Sequence, residues 1–291
     1  MRLALFLFAV FLPFISTAQR SYPPKMADAE VQTYKTADGD VGLRVWIFKP
    51  DDWKASDSRP AAVFFFGGGW KSGSPQQFEQ QCKQLAERGM VAMTADYRVS
   101  SRHQTKAKSC VEDARDAVRW IRGNATKLGV NPDKVMAGGG SAGGHVAACL
   151  GTIIVDEQGL SSMPNAMALF NPAAVLARYE GLSFWEKDRS AEMRERMGVD
   201  PVELSPIHHV HKDAAPAIIF HGTKDTTVPY ATAAAYAKAM KEAGVKCELA
   251  SFEGAGHGFF NYGRDGNKHF DATMKKLNDF LVSLGWLEAT E

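Results

Sequence analysis

Hydrophobic positions along this chain switch repeatedly between a period of two and a period near 3.6. Residues 31–36 and 41–48 nearly alternate apolar and polar side chains around Asp38-Gly39-Asp40, which predicts an antiparallel hairpin at one sheet edge. After a polar stretch at 50–60, residues 61–66 are continuously apolar, as in a strand covered on both faces. Helical spacing over 76–88 stops at Gly89, and a second apolar run at 90–95 ends in Asp96-Tyr97-Arg98. Helical spacing returns over 109–128 through Val111, Ala114, Val118 and Ile121, with Gly129 and Asn131-Pro132 as a stop. The alternation continues with strands at 134–140, 166–170, 217–220 and 246–252 and helices at 145–154, 230–243 and 270–284. That order predicts an α/β fold with a parallel sheet covered on both faces. One stretch breaks the pattern. Residues 176–205 are dense in Arg, Glu, Lys and Asp around Phe184-Trp185, which predicts a small cap excursion at about 175–206.

Composition narrows the class. The chain has 291 residues, 45% hydrophobic and 23% charged, enough for one large α/β domain over 19–291. Residues 1–18 fall outside it: Arg2 forms a minimal positive region, 3–15 an apolar stretch, and Ser16-Thr17-Ala18 a small-residue cleavage site. That is the pattern of a secretory signal, with Pro13 and the short run arguing against a membrane-spanning anchor. The expected mature chain starts near Gln19 and is secreted or periplasmic. Charge is balanced at 34 basic against 33 acidic residues, so neither a nucleic-acid partner nor a polybasic membrane surface is expected. Export makes an oxidised Cys82–Cys110 pair possible, while Cys149 and Cys247 read as buried small hydrophobes. No C-x-x-C or H-x-x-E-H spacing occurs, so no metal is expected, and no cofactor.

The stretch 134–144 runs from a strand into a glycine-rich turn with Ser141 near its apex. Gly139, Ser141 and Gly143 fit G-x-S-x-G, a strand-to-helix turn that holds one hydroxyl proud of the sheet. Gly138, Gly140 and Gly143 equally fit the dinucleotide pattern G-x-G-x-x-G, but that fingerprint opens a first βα unit and here three strands precede it. A serine nucleophile needs a base, and the base needs an orienting acid. Asp225, in His221-Gly-Thr-Lys-Asp, and His257, in Gly254-Ala-Gly-His-Gly, follow later strands in the order Ser, Asp, His. Both therefore leave carboxyl ends of strands, where sites in open α/β sheets are built. The alternatives are a turn acid for Asp225 and a structural turn histidine for His257. Backbone N–H groups of Gly68, Gly69 and Ala142 are placed to receive an oxyanion. A phosphate loop at 67–72 fails, because Trp70 rather than glycine precedes Lys71.

Together, Phe66-Gly-Gly-Gly-Trp70, Asp96-Tyr-Arg98, Gly139-Gly-Ser-Ala-Gly143, His221-Gly-Thr-Lys-Asp225 and Gly256-His-Gly-Phe259 resemble the α/β-hydrolase esterases of the acetyl esterase/hormone-sensitive-lipase type. More narrowly, the chain is similar to exported acetylxylan- or feruloyl-esterase-like carbohydrate esterases. The resemblance covers nearly all of 19–291. It implies a mostly parallel eight-stranded α/β-hydrolase sheet, a Ser141–His257–Asp225 triad, and oxyanion roles for Gly68, Gly69 and Ala142. Phe66 departs from the family's H-G-G-G motif, removing a side chain that braces the loop. Trp70, Phe259, Phe260 and Tyr262 are candidates for an acyl or sugar pocket, His103 for a rim contact, and the cluster His208, His209 and His211 for polar surface. A charged cap favours a small ester or acylated carbohydrate over a lipid surface. A secreted peptidase and a non-catalytic carbohydrate-binding relative are the readings from other classes, and the oligomeric state is open.

Overall fold

The central strands exist because their side chains are apolar on both sides, leaving the backbone no better partner than its neighbours. The computed structural model describes residues 22–156, 159–182 and 190–289. The predicted signal at 1–18 and the cap residues Phe184 and Trp185 lie outside that set. The strands are β1 (Glu30–Ala37), β2 (Val41–Phe48), β3 (Arg59–Phe65), β4 (Val91–Ala95), β5 (Val130–Gly140), β6 (Ala166–Phe170), β7 (Ala217–Gly222) and β8 (Cys247–Phe252). They form one sheet in the order β1-β2-β4-β3-β5-β6-β7-β8. β2 pairs antiparallel with β1 and β4, and every other pairing is parallel.

Alternation along each strand divides the core in two. Ala61, Val63 and Phe65 of β3 face one layer, and Ala62 and Phe64 face the other. The first layer is covered by helices α3 (Ala107–Gly123), α5 (Ala142–Thr152) and α7 (Tyr230–Glu242). The second is covered by α1 (Glu79–Glu87) and α8 (Lys268–Ser283). Phe64, Phe78, Phe170 and Phe260 make a fully buried aromatic cluster in that second layer, each ring worth roughly 1.5–3 kcal/mol of burial. Among the described residues, no helix is long and apolar enough to cross a membrane.

Two expectations change. The helix expected over 109–128 is α3 plus a separate turn, α4 (Ala125–Leu128), because the backbone leaves helical geometry at Asn124, whose amide donates to the Trp120 carbonyl at 2.8 Å. Cys82 and Cys110 are both free: α1 carries one thiol into the second layer and α3 the other into the first, so the sheet lies between them. The described part of the charged excursion packs back onto the body of the domain. It contains α6 (Ser190–Met197), whose Met193 and Met197 are buried in the first core layer, while Lys106 pairs with Glu195. A further one-turn helix, α2 (Ser100–His103), follows β4.

Candidate active site

Ser141 directly follows β5 and caps α5 in a conformation that L residues rarely adopt, φ +53° and ψ −115°. Crowding produces it. A Cβ on Gly143 would stand 2.0 Å from the Phe65 carbonyl oxygen, and one on Gly139 2.5 Å from both Phe65 O and Gly143. The helix can start this close to the sheet only without those side chains. The Ser141 amide donates to the Phe170 carbonyl of β6 at 2.8 Å, closing the turn from the other side.

Two loops at the carboxyl ends of β7 and β8 meet above the serine. They are stitched by Thr223 N–H to Phe252 O and Lys224 N–H to Ala255 O, each 3.0 Å. His257 Nδ1 lies 2.7 Å from Asp225 Oδ2, and its Nε2 lies 3.0 Å from Ser141 Oγ. The other carboxylate oxygen of Asp225 accepts from the Thr227 and Val228 amides at 2.8 and 2.9 Å. Burial opposes ionisation of Asp225, but hydrogen bonds from His221, His257 and the Val228 amide outweigh it and hold the carboxyl well below the usual carboxylate range. With Asp225 charged, the network assigns the Nδ1–H tautomer to His257, leaving Nε2 free to take the serine proton.

Gly68, Gly69 and Ala142 line the same cleft of about 1030 Å³ as Ser141 and His257. Among the described residues none of their three amide hydrogens is taken by an acceptor in the chain. Two contacts replace the brace that Phe66 cannot supply. Tyr97 OH donates to the Phe66 carbonyl while the two rings stack 4.1 Å apart. On the far side of the loop, Trp70 Nε1 donates to His145 Nδ1 at 3.0 Å, and His145 Nε2 donates to the Leu204 carbonyl at 2.7 Å. His145 is fully buried, and desolvation pushes its pKa down to about 4, so the ring is neutral and anchors the loop to α5.

The predicted substrate contacts fare unevenly. Trp70 touches the cleft, but its side chain is 3% exposed and committed to His145, so it shapes the loop. Phe259 turns away into the second core layer against Phe252, and its neighbour Phe260 lines the cleft instead. His103 lies outside the cleft: its Nδ1 accepts the Val99 amide at 3.0 Å, capping α2. His208, His209 and His211 are spent on separate partners, Ser205, Val202 O and the Asp213 amide. Pattern reading missed two residues. His221 Nε2 sits 3.4 Å from Asp225 Oδ2 and 2.9 Å from Val228 O, and Asn171 Oδ1 accepts the Gly258 amide at 3.0 Å beside His257. Both directly follow or end a strand beside the site, the one signal that singles them out.

The BD-FAE family model matches residues 47–240, and that of the dienelactone hydrolase family matches 200–286. A thermophilic esterase from the planctomycete Thermogutta terrifontis, esterase 2, superposes with a TM-score of 0.87 at 50% identity, covering 94% of this chain and 98% of that one. The same esterase phosphonylated by sarin superposes at 0.88, covering 93% of this chain and all of that one. Among curated proteins, esterase LipC of Mycobacterium tuberculosis is 30% identical over 72% of this chain and 56% of its own length. Carboxylesterase NlhH of the same species is 26% identical over 77% of this chain and 73% of its own length. The chain spans about half the length of the first curated relatives it matches. On the matched span and on the half-identical structures, the chain belongs to the BD-FAE family and has the α/β-hydrolase fold.

Proposed function

We propose that this protein hydrolyses carboxylic esters of short acyl groups, with Ser141 as nucleophile, His257 as general base and then acid, and Asp225 as the orienting carboxylate. The observation that carries the reading is the unbroken hydrogen-bond chain from Ser141 Oγ through both nitrogens of His257 to Asp225, open to a cleft. In the first half-reaction Ser141 Oγ attacks the ester carbonyl carbon as its proton passes to His257 Nε2. The carbonyl oxygen becomes an oxyanion facing the Gly68, Gly69 and Ala142 N–H groups. Collapse breaks the bond to the alcohol oxygen, which leaves with the proton from His257 and leaves an acyl-serine. Water then repeats the sequence: His257 takes its proton, the hydroxyl attacks the acyl carbon, and Ser141 departs reprotonated. Asp225 stays ionised and stabilises the imidazolium at both stages.

Short acyl groups are favoured because the half-identical esterase has been seen with propionate and with butyrate bound. The acylated alcohol is read as a carbohydrate, and the protein as exported. Supporting the carbohydrate are the polar lining residues Gln76 and Gln80 and the Tyr262 ring, which is 53% exposed beside the cleft. Such amides and an open ring face suit hydroxylated sugars better than alkyl chains. The residue pattern of 1–18 supports export. The test is release of acetate and propionate from simple esters and from acetylated oligosaccharides, with fluorophosphonate labelling of the serine. Ser141→Ala is expected to lower kcat on the order of 10⁶-fold and abolish labelling. Retained labelling in Ser141→Ala sinks the nucleophile assignment, and faster release of long acyl chains from emulsions than of acetate from sugars sinks the substrate reading.

A further inference from the structure

The oxyanion loop and the histidine loop come from opposite ends of the chain, and no backbone hydrogen bond joins them among the described residues. Side-chain amides do. The Gly67 N–H, one residue before the oxyanion glycines, donates to Gln77 Oε1 at 2.6 Å. Gln77 Nε2 donates to Asn261 Oδ1 at 2.9 Å, and Asn261 Nδ2 donates to the Gly258 carbonyl at 2.8 Å, next to His257. Each amide oxygen accepts and each amide nitrogen donates, so neither amide can flip without breaking two bonds. The residues that carry them are also pinned. Phe78, beside Gln77, stacks on Phe260, beside Asn261, at 5.8 Å, and both rings are fully buried.

We infer that Gln77 is a positioning residue: through Asn261 it holds the oxyanion donors in register with His257, so that charge stabilisation and proton transfer act on one substrate geometry. The inference rests on the assignment of Ser141, His257 and the Gly68–Gly69 loop given above. Gln77's amide is spent on Gly67 and Asn261, so its loss should act on the transition state rather than on ester binding. Misplacement of catalytic groups by about 1 Å costs on the order of 100-fold in rate.

The experiment compares kcat, KM and Tm for hydrolysis of a propionyl ester by wild type, Gln77→Met, Asn261→Leu and the double variant. Gln77→Met is expected to lower kcat roughly 10- to 100-fold with KM changed by less than about threefold. The double variant is expected to fall about as far as the worse single one, because both cut one relay. Gln77→Glu guards against a folding defect. It keeps an acceptor for Gly67 but faces Asn261 Oδ1 with a second acceptor, so either that bond or the Asn261–Gly258 bond is lost. A lower kcat at unchanged Tm in Gln77→Glu supports the relay. Wild-type kcat in Gln77→Met and Gln77→Glu, or losses that multiply in the double variant, overturn it while leaving the triad standing. A wild type that neither turns over the ester nor takes a fluorophosphonate overturns the reading of the site, and the relay's catalytic role with it.

Discussion

Two glycine-rich turns flank the proposed reacting centre, and Gly143 in one and Gly69 in the other need glycine for different reasons. At the elbow, Gly139 and Gly143 are crowded by backbone: the carbonyls of Phe65, which ends β3, and of Phe66 just after it press against the start of α5, and no side chain fits. In the oxyanion loop, Gly69 has nothing within 4 Å of where a Cβ would sit, but its φ of +63° lies in the left-handed region. The next residue, Trp70, adopts φ +59° without being glycine, and its indole is tied to buried His145. The elbow is set by how closely a helix and a strand approach, whereas at Gly69 the loop is set by the direction its own backbone must take; Gly68 meets both limits, with φ +131° and a Cβ position 2.1 Å from the Ser72 carbonyl oxygen. Crowding cannot be relieved without moving the sheet, but torsional strain can be offset by one good side-chain contact.

The largest expected effect separates the two. Gly143→Ala forces a methyl onto backbone oxygens that cannot move, and it should destabilise by more than about 3 kcal/mol, read as a collapse of the urea midpoint or loss of soluble protein. Gly69→Ala meets no neighbour and should cost only the left-handed torsion, about 1–2 kcal/mol. Equal losses in the two variants would break the comparison.

A further effect is graded with pH, small at each step, and sharpens the role of His145. Its folded pKa lies near 4, below the ordinary histidine value near 6.5, so above pH 6.5 both folded and unfolded states hold it neutral. As pH falls from 6.5 towards 4, only the unfolded state takes up the proton, and stability should drop by about 1 kcal/mol per pH unit from this group. Below about 4 both states are protonated and the contribution levels off. In His145→Gln, urea midpoints should lose that part of the slope between pH 6.5 and 4. An unchanged slope would mean that the buried ring is protonated in the folded protein.

Much of the candidate site can be read along the chain because its proposed reacting groups each sit in a short glycine-bearing turn after an apolar strand. Ser141, Asp225 and His257 are found that way, and the structure places both Ser141 and Asp225 within hydrogen-bond distance of His257. Gln77 and Asn261 belong to no such motif, and Asn171 has only its place directly after β6. Gln77 and Asn261 stand 184 positions apart, and each amide is ordinary until the other is beside it. The same limit explains Phe259 and His103. Which of two adjacent phenylalanines faces the cleft depends on the turn at Gly258, and an imidazole beside a short helix has a local backbone amide to accept before any substrate arrives.

What the amino-acid order determined by itself is the alternation of buried strands and amphipathic helices, and the turns that close them. Both are local consequences of side-chain polarity and of the few residues that tolerate crowded or left-handed backbone. Tertiary structure alone decided which face of the sheet each helix covers, and so that Cys82 and Cys110 are kept apart. It also decided which side chains replace the missing brace beside Phe66 and which amides tie the glycine loop at 67–69 to the loop that carries His257. These depend on distances between groups far apart in the chain, which periodicity does not encode.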